Sequence, residues 1–318
     1  MTTPNSSFSD IIATTLQGYS KTMADNITNH NALLRQMERK GNIVNRTGRT
    51  IVQEIEFAEN STVSWFTGSD TISTAQDDTY TAAEYNWKMV AGNAVVTGLE
   101  EVQNSGPEAV HNLVKARMKT LDKSIRNTVS TALYADGTGS SSKEFGGLQH
   151  LVADTNTNTV GGISGNTYSW WRNYVYDFST LGITASATTI GTAMQTAWLN
   201  SIRGMDKPDI ITAGITYYQY YWDSLLANQR FTDDKGAGAG FVNLVYQGNV
   251  PVIYDDQCNA TRMYMLNTDY LYLAKSPKRW FTPLSDRASI NQDAVVMPLV
   301  CAGNLTCSNR ERQAVICA

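Results

Sequence analysis

Catalysis needs a few side-chain types at particular spacings, so the acids, histidines, cysteines and spaced glycines come first. GAGAGF at Gly236 to Phe241 has the alternating glycines of a phosphate loop. It follows Asp233-Asp234-Lys235 instead of a strand, however, and lacks the G-x-G-x-x-G register, so nucleotide binding is not expected there. Asp154, Asn156 and Asn158 begin like a calcium loop, but Thr159 and Gly165 stand where the turn glycine and the bidentate glutamate should be. The acidic pairs Asp77-Asp78, Asp233-Asp234 and Asp255-Asp256 are adjacent in sequence, so in an extended chain their carboxylates diverge and cannot share a proton. His30, His111 and His150 have neither metal spacing nor a serine elbow around them. Cys258, Cys301, Cys307 and Cys317 show no C-x-x-C pair and no nearby histidine, and read as reduced core thiols. The expectation is a protein that is not an enzyme, with no catalytic set, no metal and no cofactor.

The elements must then serve another purpose. With 318 residues, 42% of them hydrophobic, the chain can build a real core in two domains or one elaborated domain. A net charge of -4 argues against a dedicated nucleic-acid binder while leaving room for a local basic face. The opening MTTPNSSFSD lacks the basic and apolar regions of a signal peptide, and the longest apolar run, Ala294 to Ala302, is broken by Pro298. No membrane partner is expected, and the protein should be made and kept in a cytoplasm unless lysis releases it.

The strongest pattern runs from Ser105 to Ala135. Val110, Val114, Met118, Leu121, Ile125, Val129 and Ala132 recur in steps of four and three, which keeps one apolar stripe along a helix. Ser105 and Glu108 form a capping box, Pro107 fits the first turn, and Asp136-Gly137 is a stop. Such a helix would be about 40 Å long, a strut. Its outer face carries Lys115, Arg117, Lys119, Lys123 and Arg126, either as a solvated face or as one turned toward phosphate or an acidic neighbour.

Before this helix, Phe8 to Lys40 reads as an arm with short helical pieces, and from Arg49 to Thr97 the period changes to two. Ile51, Gln53, Ile55 and Phe57 alternate outward, and Tyr85, Trp87 and Met89 alternate on the return, as the two strands of a long hairpin. Its tip, Gly68 to Thr79, offers only Ile72 to a core, which is too much loop unless its task lies outside its own domain. No basic residue occurs between Arg49 and Lys88, whereas Glu54, Glu56, Glu59, Asp70, Asp77, Asp78 and Glu84 do. Thr138 to Gly165 reads as loop. Helices at Thr189–Asn200 and Thr216–Asn228, with strands at Pro208–Thr212, Val250–Tyr254 and Arg262–Leu266, indicate a mixed domain, and the stretch from Tyr270 is strand-rich.

In this order the segments PDIITAGITYYQYYWDSLLANQRF, FVNLVYQGNVPVIYDD, MYMLNTDYLYLA and GNLTCSNRERQAVI resemble the major capsid proteins of tailed bacteriophages, whose shared α+β fold is sometimes called the Johnson fold. The resemblance implies an N-terminal arm at 1–48, an extended hairpin loop at 49–97, and a peripheral domain at 98–184 with its spine helix at 105–135. An axial domain at 185–267 and a return to the peripheral domain at 268–318 complete it. It also implies self-assembly into hexamers and pentamers of an icosahedral virion shell in the host bacterial cytoplasm, around packaged double-stranded DNA bound without sequence specificity. A separate scaffolding protein, a portal and decoration proteins would be the other partners. Some family members crosslink through a lysine in the extended loop; none lies between Ile51 and Trp87 here, so such a crosslink is not expected. The hairpin tip is expected to lie over a neighbouring subunit, with Trp65 and Phe66 in apolar contact and Asp70, Asp77 and Asp78 meeting basic residues. Because the family places the spine helix on the inner wall, Lys115, Lys119, Lys123 and Arg126 are expected to face DNA. The alternatives are an encapsulin-like nanocompartment, which shares this fold but loads enzymes, and an aromatic-rich carbohydrate-binding or hydrolytic protein.

Overall fold

In the computed structural model, which describes residues 32–103, 113–226, 244–285, 287–288 and 292–318, the chain opens with helix α1 (Ala32–Lys40). Leu33 and Met37, one turn apart, are its buried face. Strand β1 (Ile43–Asn45) leads to β2 (Ile51–Glu56) and β3 (Tyr80–Tyr85), and β4 (Lys88–Thr97) runs directly into α2 (Gly98–Gln103). The long helix α3 (Leu113–Ala132) follows. A turn of helix, α4 (Leu148–Leu151), precedes the short strands β5 (Thr159–Val160) and β6 (Ile163–Ser164), then β7 (Tyr174–Asp177). The remaining elements are α5 (Ile190–Ser201), β8 (Ile210–Ala213), α6 (Ile215–Leu226), β9 (Leu244–Tyr246), β10 (Val250–Tyr254) and β11 (Arg262–Leu266). They end with β12 (Leu271–Lys275), β13 (Thr282–Pro283), β14 (Arg287–Ala288), β15 (Ala294–Cys307) and β16 (Ala314–Cys317).

Two mixed sheets organise this α+β fold. The first is built around β15, long enough to pair with β4 along one edge, from Ala294 opposite Thr97 to Gly303 opposite Lys88. Along its other edge it meets β14, β13 and β12 in turn, and β1 adds to β12 in parallel. The second sheet has the order β7-β16-β11-β8-β10-β9. It takes β7 from before residue 185 and β16 from after residue 267. All four residues of β8 are buried, as a continuous apolar strand requires, and α5 and α6 cover the sheet with Ile190, Met194, Trp198, Tyr217 and Tyr221.

Helix α3 lies on the first sheet through Ile125, Val129 and Ala132. The approach is close: a Cβ at Gly92 on β4 would fall 2.5 Å from Leu121 Cδ1, so the strand is smooth where the helix crosses it. The helix ends at Ala132, short of the expected Asp136-Gly137 stop, where Gly137 takes φ +78°. Ser105, Pro107 and Glu108, its expected start signals, lie outside the described residues.

Two expectations change. The return strand of the hairpin ends at Tyr85, opposite Ile51. Trp87 precedes β4 and Met89 belongs to it, and β4 pairs with β15 instead. The period-two pattern continues unbroken through Asn86, so alternation alone could not mark the point where the chain changes sheets. Residues 138–165 are not plain loop either: Leu148, Leu151, Val152 and Val160 are fully buried in the main core.

Near that segment sits Arg310, wholly buried. Its Nε donates to Leu151 O at 2.7 Å, Nη1 to Trp171 O at 3.0 Å, and Nη2 to Asn158 Oδ1 at 2.7 Å and Asn173 Oδ1 at 3.0 Å. One guanidinium thus fastens the turn between the two last strands to α4 and to the segments that carry Asn158, Trp171 and Asn173. Burial pushes its pKa down to about 10.

Candidate functional site

Residues 57–79 connect β2 to β3 without forming a strand of their own. At the root, Phe57 stacks on Trp170 with ring centroids 5.5 Å apart, and Glu84 N donates to Gly161 O at 2.9 Å. Farther out, Ser61 N donates to Asp77 Oδ2 at 2.6 Å and ties the outgoing arm to the returning one. Asp70 closes a tight turn by accepting from Thr67 N at 2.8 Å and Thr67 Oγ1 at 3.0 Å. Hydrogen bonds from Thr67 and from Ser61 hold Asp70 and Asp77 below the usual carboxylate range, so both are charged at neutral pH. Asp78 is exposed, Trp65 is 104% exposed and Phe66 62%. An indole fully in water gains nothing for its own chain.

The spine-helix set has a different character. Lys115, Lys119, Lys123 and Arg126 follow one another at helical spacing along α3. Lys119 is exposed, and Lys123 is half-buried. Arg126 donates to Asp122 Oδ2 at 3.1 Å and lies 4.6 Å from the Phe281 ring centroid. Arg117, one helix face away, is engaged within the chain: it donates to Glu100 Oε1 and Oε2 at 2.8 Å each and to Val95 O at 2.5 Å. That guanidinium holds the Glu100 carboxyl down at about 2. None of the ion pairs among the described residues joins the hairpin to this helix.

The residues singled out for their chemistry are committed to structure. Asp154 takes a bidentate bond from Arg262, with Nε at 2.9 Å, while Asn156 Nδ2 donates to Asn173 O and Asn158 Nδ2 to His150 O. Asp255 is buried and accepts from Tyr134 OH at 2.9 Å, whereas Asp256 is exposed, so that pair does diverge. All four cysteines are buried free thiols, and burial pushes Cys258, Cys307 and Cys317 up to about 12 and Cys301 to about 11. Among the described residues no group of three or more His, Cys, Asp and Glu could hold a metal ion, and no helix is long and apolar enough to cross a membrane. His30, His111, Asp233, Asp234 and the GAGAGF segment lie outside the described residues.

No family model and no curated relative matches the sequence. Solved structures do match. The capsid protein of cyanophage A-1(L) superposes with a TM-score of 0.72 at 18% identity, covering 94% of this chain and 95% of that one. The SrpI encapsulin of Synechococcus elongatus PCC 7942 superposes at 0.61 with 12% identity over 98% and 95% of the two chains. Mycobacterium phage Bobi gives 0.58 with 12% identity over 96% of each. At such identities only the fold is shared, and it is shared over nearly the whole chain. The chain is built on the shell-protein fold of tailed-phage major capsid proteins, which encapsulins also use.

Proposed function

We propose that this chain is a major capsid protein: a structural, non-catalytic subunit that assembles with itself into hexamers and pentamers of an icosahedral virion shell around double-stranded phage DNA. The observation that carries the reading is the hairpin extension, which presents Trp65 and Phe66 to solvent on a chain that a capsid structure matches over 94% of its length. The aromatics and Asp70, Asp77 and Asp78 contact a neighbouring subunit. Lys115, Lys119, Lys123 and Arg126 form an inner basic face toward DNA, consistent with the exposure of Lys119 and with Arg117 being used up inside the chain. Assembly takes place in the host bacterial cytoplasm with a separate scaffolding protein and a portal, and decoration proteins bind outside, as one similar shell, that of phage G, carries decoration proteins.

Sedimentation and negative-stain imaging of the purified full chain test the reading: rings or closed particles are expected, and a 35.0 kDa monomer at every working concentration would overturn it. Replacing Lys119, Lys123 and Arg126 with glutamine should leave shells intact and lower their DNA content. Failure of shells to form with this variant, where the parent assembles, rejects the DNA-facing role. The match to an encapsulin over nearly the whole chain keeps a nanocompartment as the second reading, and particles filled with protein instead of DNA would select it.

A further inference from the structure

Where the hairpin joins the body, four aromatic rings pack into a fixed ledge. Trp171 is buried and donates from Nε1 to Val160 O at 3.0 Å, which anchors it. Trp170 leans edge-on against it with ring centroids 5.6 Å apart, and Phe57 and Tyr168 flank Trp170 at 5.5 and 5.9 Å. Phe57, Tyr168 and Trp170 border a groove of about 380 Å³ whose lining also includes Thr81, Glu84 and Gly162. The β5–β6 turn closes on β3 because Gly161, at φ +60°, has no Cβ; one built there would fall 2.6 Å from the Ala83 Cβ. At Gly162, by contrast, a Cβ would meet nothing within 4 Å, so that side of the groove stays open.

The chain leaves the polar atoms of this groove unused. Among the described residues the Tyr168 hydroxyl, the Trp170 indole N–H, the Thr81 hydroxyl and the Glu84 carboxylate enter no hydrogen bond, and Glu84 enters no ion pair. None of the described lining residues is a lysine, an arginine or a histidine. A phosphate or an acidic sugar would therefore meet the Glu84 charge with no cation to offset it. An organic cation suits Glu84 and the ring faces, but it can only donate, which leaves the indole N–H without an acceptor. The hydroxyls of a neutral sugar both donate and accept, and the C–H face of its ring lies against an aromatic one. The volume also falls within the roughly 300 to 1,000 Å³ of small-molecule sites. We propose that this groove binds a neutral sugar ring at the end of a glycan chain, with Tyr168 and Trp170 against its C–H face, Glu84 accepting from its hydroxyls and the Trp170 N–H donating to one of them. The anchored rings are already in place, so little side-chain freedom is lost on binding. This goes beyond the shell reading and does not rest on it, although a shell would repeat the site in every subunit and turn weak single contacts into firm adhesion.

The test titrates the full chain with neutral trisaccharides of glucose, galactose, mannose and N-acetylglucosamine, read by saturation transfer to the sugar protons. At least one should bind with a Kd of about 1 mM. Tyr168→Ala and Glu84→Gln change exposed side chains that hold no bond in the fold, so each should keep the circular dichroism of the parent and weaken that binding about tenfold. Tyr254→Ala, which removes an exposed aromatic outside the groove, should bind as the parent does. Silence from every trisaccharide overturns the inference, as does binding that survives both groove substitutions. A response to tetramethylammonium or glucuronic acid with none to the neutral sugars also overturns it and reassigns the groove to a charged ligand. None of these outcomes touches the shell reading, which sedimentation and imaging decide.

Discussion

Arg310 is a cation whose four hydrogen-bond acceptors are all neutral oxygens, two from backbone and two from asparagine side chains. Its stability contribution comes from satisfying those acceptors, not from an ion pair, so truncation leaves several buried carbonyls bare. Arg310→Met should cost about 3 to 5 kcal/mol, read as a lowered urea midpoint with an unchanged slope. At the cysteines the same burial acts in the opposite sense, raising thiols that are nucleophilic only as thiolates. Native chain in iodoacetamide at pH 8 should therefore stay unmodified, and all four cysteines should react once it is denatured. Modification of Cys301, the least shifted of the four, without loss of fold would contradict this burial.

At the scale of elements, α2 is held against α3 by Glu100 and Arg117. The Glu100 carboxyl, ordinarily near 4.5, titrates in the fold near 2. Because the folded value is the lower one, the stabilisation is fully present above about 4.5 and fades as pH falls toward 2. Glu100→Gln should lose about 1 kcal/mol at neutral pH and only a small fraction of that at pH 2, as measured by chemical unfolding at both. Most of this architecture can be read from the residues: the stripe from Met118 to Ala132 and the PDIIT strand are local patterns, and local patterns set period and burial. Where the chain changes partners is not local. Nothing in Tyr85-Asn86-Trp87 says that one strand ends and another begins in a different sheet, because alternation fits both. The approach of the loop after β1 to the loop after β12 is non-local in the same way. Arg46 and Lys278 are remote in sequence and meet only through the parallel pairing of β1 with β12. The acidic character of the hairpin, by contrast, is local: residues 50–87 hold seven carboxylates and no lysine or arginine.

For the whole molecule, the absence of lysine from residues 51–87 and the inert thiols leave no evident route to covalent joining at the hairpin. Assembled particles boiled in detergent and reductant should run as single chains on a gel; a ladder of multiples would show that another lysine, with Lys88 and Lys143 the first to examine, does react. The two last strands also set a timetable. β15 is the strand to which β4, β12, β13 and β14 all attach, and β16 is an interior strand of the other sheet. Yet both are made after everything they organise. About 200 residues separate β4 from β15, and at about 5 to 20 residues per second β4 waits roughly 10 to 40 seconds for its partner. During synthesis neither sheet can close, so the nascent chain carries an unpaired ten-residue strand edge into a crowded cell. Translation speed and chaperone occupancy, more than the stability of the finished subunit, then decide how many chains become competent to join a particle.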